Sequence, residues 1–163
     1  MSGRVGLEGV LRIALAVVAV LGLGVAAYLA GVGFRGGNPV CVVGGGCEGV
    51  QKSEYGTLVG IPVPVLGLLG YTGFLVAAAL PGPPGRALGL FNGLVAFGFS
   101  AWLTSVEAFI LHSWCAWCVT SAVLVTIATA LCVARMVVGA RADAVDADEG
   151  SGIDGDDPAP GRA

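Results

Sequence analysis

The sequence predicts an all-α protein: a transmembrane four-helix bundle with a short outer-loop helix. Three observations carry that prediction. Hydrophobic residues make up 56% of the 163-residue chain and charged residues only 12%, about half the charged share of a soluble domain. The apolar residues fall into four blocks, each close to the roughly 20 residues needed to cross a bilayer. The 28 glycines suit helices that approach one another closely in lipid.

The first block, residues 13–30, carries no charge. Arg4 and Arg12 precede it, so a cleaved signal peptide is the alternative reading. The block exceeds the usual apolar core of about 7–15 residues and ends without a small-x-small site, which favours a retained helix. The second block, residues 58–80, would span roughly 34 Å as a helix, with Pro62 and Pro64 shaping its start. The third, residues 87–111, contains Glu107, and the fourth, residues 119–138, contains Arg135. Between them, residues 31–56 are Gly-rich and polar. Pro81-Gly82-Pro83-Pro84-Gly85 is a turn that no helix continues through. The connection 112–114 is so short that helices three and four are expected to be antiparallel neighbours. The bundle is expected over residues 1–141. Residues 142–163 are acidic and poor in apolar side chains, which predicts a disordered tail.

Charge assigns a topology. Arg4, Arg12, Arg86, Arg135 and Arg141 fall on one side of the four blocks, and Arg35 and Lys52 on the other. The positive-inside rule puts both termini in the cytoplasm and the 31–56 and 112–114 connections outside a cell (inner) membrane. The net charge of -3 comes from acids gathered in the tail. No basic stripe exists, which argues against nucleic acid as a partner.

Four of the five cysteines carry the chemistry. Cys41 and Cys47 lie in the first outer connection as Cys-Val-Val-Gly-Gly-Gly-Cys. Cys115 and Cys118 form a C-x-x-C within Trp114-Cys115-Ala116-Trp117-Cys118, where the second outer connection enters helix four. The expected topology puts all four on one side. A cysteine at a helix start meets unpaired N–H groups and the positive end of the dipole, which favour the thiolate that attacks disulfides. The three glycines allow the Cys41–Cys47 loop to present its disulfide first to a partner and then to Cys115. Thiol–disulfide exchange is the leading reading. A zinc site and two static disulfides are the alternatives, although the flanking tryptophans make the surroundings apolar. Cys132, deep in helix four, reads as a small packed hydrophobe.

The order of these pairs, together with Ser53-Glu54-Tyr55-Gly56 and Gly60-Ile61-Pro62-Val63-Pro64-Val65-Leu66-Gly67 leading to Tyr71, resembles the vitamin K epoxide reductase family, and its bacterial branch in particular, over about residues 10–138. The C-x-x-C alone would be a weak signal; the two pairs with the Gly-Ile-Pro motif between them are specific. The resemblance implies a four-helix transmembrane bundle around a quinone of menaquinone or ubiquinone type. It implies that Cys41 and Cys47 take electrons from a separate thioredoxin-like (DsbA-type) protein on the outer face. Cys47 then exchanges with Cys115, and Cys118, nearest the quinone, delivers the electrons. It further implies a short helix near residues 48–57, with Ser53 among the site-lining residues. The sequence departs from the family in two places. Many bacterial members carry a thioredoxin-like domain after the last helix, where an acidic tail is expected here and hence a separate partner, and Ala122 stands where animal epoxide reductases carry a Tyr. The second departure favours quinone reduction over epoxide reduction. A membrane protein using its four thiols as metal ligands is the non-enzymatic alternative.

Three further residues each have two readings. Glu107 is an ionisable group inside an apolar helix and a functional suspect on that ground; it either snorkels to water or serves a proton route or hydrogen bond to the reduced quinone. Trp117 either belongs to an interfacial aromatic belt or walls the quinone pocket. His112, three residues before Cys115, either stabilises its thiolate or is a solvated connector residue.

Overall fold

Proline and glycine set where the helices begin and end. The structure, a computed structural model, describes residues 2–37, 40, 56–58, 60–112 and 114–153. Helix α1 spans Ser2–Phe34. Two short strands, β1 (Thr57–Leu58) and β2 (Ile61–Pro62), pair antiparallel in the register Thr57 to Pro62 and Leu58 to Ile61. Gly60 takes φ +83° in the turn, a conformation glycine adopts without steric cost. Helix α2 spans Val63–Ala79, with Pro62 as its N-cap and proline again in its first turn. The expected start at residue 58 is therefore displaced. Residues 57–58 and 61–62 pair as strands because Pro62 and Pro64 have no N–H for a helix preceding them but fit a helix that starts there.

Helix α3 spans Gly82–Val106 and continues as one wide π-helical turn over Glu107–Leu111. It begins inside the Pro-rich turn rather than at residue 87. Pro83 and Pro84 sit in its first turn, where a missing N–H breaks no helical bond. Helix α4 spans Ala116–Ile153. It runs past the expected end at residue 138, and residues 142–153 are helix where their composition predicts disorder. Once a long helix exists, each added residue bypasses the nucleation cost. Asp143 is also tied to α3, accepting a 2.8 Å hydrogen bond from Arg86. Gly139 makes that contact possible, since any Cβ there would collide with the Arg86 guanidinium.

The four helices pack in a ring: α1 on α2 and α4, and α3 on α2 and α4. Leu15, Ala19, Tyr71, Phe74, Val125 and Ala128 form the centre, and Cys132 packs among them against α3. Among the described residues three helices are long and apolar enough to cross a membrane; α2 is apolar but has 17 residues, roughly 25 Å of helix. Its last turn contains no basic residue, so other helices cap its free carbonyls. Arg12 donates to Ala78 O and Ala79 O, both at 2.8 Å, and Arg135 to Ala77 O at 3.0 Å. Arg135 is buried, with Glu8 3.9 Å away. Cations at the negative end of a helix dipole are stabilising. These arginines thus knit the end of the bundle opposite the cysteines.

Candidate functional site

The site grows from the join between α3 and α4. The π-helical turn ends at His112, in the left-handed conformation with φ 47°, and the chain re-enters a helix at Ala116. Such wide turns recur at functional sites because they re-aim side chains out of the regular helical register. Here the turn begins at Glu107, which is 3% exposed. Its Oε2 accepts the backbone N–H of Cys115 at 3.3 Å, and its carboxyl also hydrogen-bonds the Cys118 side chain. Glu107 therefore does not snorkel to water. Two donors from the C-x-x-C hold it inside the bundle.

Cys115 occupies the N-cap position of α4. Its Sγ accepts the backbone N–H of Cys118 at 3.4 Å, which satisfies one of the free donors at the helix start. Cys115 and Cys118 are both free thiols. The Cys115 thiol is held below its ordinary value chiefly by the Cys118 side chain, whose single thiol proton it shares with Glu107, with the N–H groups of Cys118 and Trp117 adding to it. Burial and the negative charge of Glu107 push the other way. His112 is exposed, and its Nδ1 lies 3.3 Å from Ile110 O. The groups that act on Cys115 among the described residues are those of Cys118, Trp117 and Glu107.

The two cysteines face different surroundings. Cys115 is fully buried beneath Leu111 and Trp117. Cys118 lines a cavity of about 670 Å³ bounded by all four helices and by residues 56–57. Glu107 and Ser121 share that wall with Cys118, and Tyr71, Asn92 and Ser100 bring further polar groups to it. Tyr71 Oη and Ser121 Oγ are 2.8 Å apart, and Asn92 donates to Gly70 O at 3.0 Å. Leu69 of α2 and Val95 of α3 line the cavity yet are 66% and 58% exposed, so it opens sideways between those helices. Its volume and its apolar lining with a few convergent polar groups are those of a small-molecule site.

Of the residues singled out from sequence, the structure brings Glu107, Cys115 and Cys118 into contact. Trp117 is not among the residues that line the cavity. Its ring points away, stacking on Tyr28 of α1 with centroids 5.0 Å apart, and its Nε1 donates to Val40 O at 3.0 Å. A helix turns residue 117 about 100° from residue 118 around its axis, and here that turn carries the indole toward α1. Cys41, Cys47 and Ser53 lie outside the described residues, as do residues 48–55 of the short helix expected near 48–57; at its expected end Thr57 is in strand β1 instead. Among the described residues no group of three or more His, Cys, Asp or Glu could hold a metal ion; a four-thiol site would need Cys41 and Cys47 as well. Sequence reasoning missed Ser121 and Asn92. It met Tyr71 only as part of a motif, though a hydroxyl-bearing side chain inside an otherwise apolar helix was the available signal.

Residues 13–133 match the Vitamin K epoxide reductase family. The chain is also similar to the thiol-disulfide oxidoreductase LTO1 of Arabidopsis thaliana, with 32% identity over 110 residues. That match covers 60% of this chain and 29% of the relative, so the chain spans less than a third of the relative's length.

Proposed function

Because the chain belongs to the vitamin K epoxide reductase family, we propose that it is a bacterial-type membrane thiol:quinone oxidoreductase that reoxidises a separate thioredoxin-like protein and so supports disulfide formation. Both termini face the cytoplasm and both cysteine pairs face outward, in keeping with the arginines Arg12, Arg86 and Arg135 gathered at the other end of the bundle. The observation that carries the reading is the division of labour between the two thiols of the C-x-x-C. Cys118 lines a cavity open to the bilayer side, and Cys115 does not.

The relay balances at each step. A partner dithiol reduces the Cys41–Cys47 disulfide and itself becomes a disulfide. The Cys47 thiolate attacks the Cys115 sulfur of the Cys115–Cys118 disulfide, forming Cys47–Cys115 and releasing the Cys118 thiolate. Cys41 then attacks Cys47, which restores Cys41–Cys47 and releases Cys115. The cavity fits a quinone ring by its volume, its lateral opening and its few polar groups, with Glu107, Ser121 and Tyr71 as the hydrogen-bonding set. A bound quinone supplies an acceptor for two electrons and two protons. Those electrons come from Cys115 and Cys118 as their disulfide re-forms. Glu107, hydrogen-bonded to Cys118, takes up that thiol's proton and passes it into the cavity; water at the outer mouth takes the Cys115 proton and supplies the second.

Cys118→Ala in native membranes tests the order. Without the resolving thiol, Cys115 should be stranded in a disulfide with Cys47, detectable by mass spectrometry, and quinone reduction should stop. No linkage between Cys47 and Cys115, with quinone reduction intact, would sink the relay and bring the metal-site or static-disulfide readings forward.

A further inference from the structure

Val40 is held by side chains from two different helices. Its backbone N–H donates to the Tyr28 hydroxyl of α1 at 3.2 Å, and its carbonyl accepts from the Trp117 indole N–H of α4 at 3.0 Å. The two rings pack on each other, so an aromatic pair bridging α1 and α4 takes up both polar backbone groups of one residue. Val40 itself is 68% exposed, so burial of its side chain does not explain why it is gripped.

The neighbours in the chain supply a reason. The residue after Val40 is Cys41, and the residue after Trp117 is Cys118. The same indole also packs on Cys115. The geometry points to Tyr28 and Trp117 as positioning residues that fix Val40, the residue before Cys41, against Trp117, the residue before Cys118, so that exchange between the pairs runs over a short tether. This inference rests on the relay proposed above.

Chain statistics give its size. The end of α1 is itself fastened, with the N–H of Gly37 donating to Val32 O at 3.1 Å. From Gly37 about ten residues lead to Cys47; from a clamped Val40, about seven. Effective concentration falls roughly as the −3/2 power of tether length, so releasing Val40 lowers it about twofold from length alone. Lost direction adds to this, because Cys47 must reach a sulfur that is buried in the structure.

The experiment isolates one pair. In full-length protein carrying Cys41→Ala and Cys118→Ala, Cys47 and Cys115 remain as the exchanging thiols. Their disulfide, titrated against a glutathione redox buffer in lipid nanodiscs, reports the effective concentration of one at the other. Tyr28→Phe keeps the ring stack and removes only the hydroxyl; Trp117→Phe keeps a ring and removes only the indole N–H. Each should lower the effective concentration two- to fivefold. The two together should lose no more than one alone, because both bonds hold the same residue. Unchanged effective concentration in both variants would overturn the clamp. A fall accompanied by faster alkylation of core Cys132 would assign the effect to general loosening and overturn it as well. Absence of the Cys47–Cys115 disulfide in the parent with Tyr28 and Trp117 intact would instead overturn the relay, a distinguishable failure.

Discussion

At the scale of the residue, the C-x-x-C works through its hydrogen bonds. Cys115 is drawn toward thiolate by the Cys118 side chain and by N–H groups at the start of α4, and is opposed by burial and Glu107. The pH dependence of iodoacetamide labelling at Cys115 should therefore have its midpoint below the ordinary cysteine value of about 8.5. Cys118→Ala removes the largest favourable contact and should raise that midpoint. Glu107→Gln removes a negative charge and should lower it further. A midpoint unmoved by Glu107→Gln would mean that the carboxyl carries no charge beside Cys115. The two cysteines were legible because the motif is local in sequence. The role of Glu107 was only half legible. An acid eight residues ahead of Cys115 points to no particular partner until the π-helical turn folds it back onto the C-x-x-C.

At the scale of the element, small residues decide how helices meet. The Tyr71 ring of α2 lies over Gly22 of α1, so that any Cβ at position 22 would collide with it. Overpacking of this kind costs about 1–3 kcal/mol, partly offset by the roughly 1 kcal/mol by which Ala exceeds Gly in a helix. Gly22→Ala should thus lower the thermal midpoint in detergent and disturb the Tyr71–Ser121 hydrogen bond at the cavity wall. In a Tyr71→Leu background, where the ring is gone, the same substitution should be neutral or stabilising. Equal destabilisation in both backgrounds would show that the obstacle is not the ring. Helix boundaries were the least legible feature. The prolines at 62–64 and 83–84 read as breaks, but each stands in the first turn of a helix. The acidic stretch after residue 141 reads as disorder on composition, but through residue 153 it continues a helix already nucleated by an apolar segment.

At the scale of the molecule, the four helices enclose a cavity that no single segment predicts. A quinone that occupies it should stabilise the folded state in proportion to RT ln(1 + [L]/Kd), about 2.7 kcal/mol at a hundredfold excess over Kd. Short-chain quinones should therefore raise the thermal midpoint in a saturable way, and a lipid tail without the ring should not. Equal shifts from both would identify the cavity as a lipid-filled seam and remove the main support for quinone binding. The sequence by itself determined that four apolar segments of near-membrane length alternate with turns, and that two cysteine pairs stand where the second and last helices are approached. It did so because hydrophobic length and local cysteine spacing are one-dimensional signals. Only the tertiary structure decided that Cys118 faces the cavity while Cys115 lies beneath Trp117, that Glu107 closes on both, and that Trp117 turns outward to Tyr28 and Val40. Those outcomes depend on the rotation of each helix about its axis, which is set by packing between segments far apart in the chain.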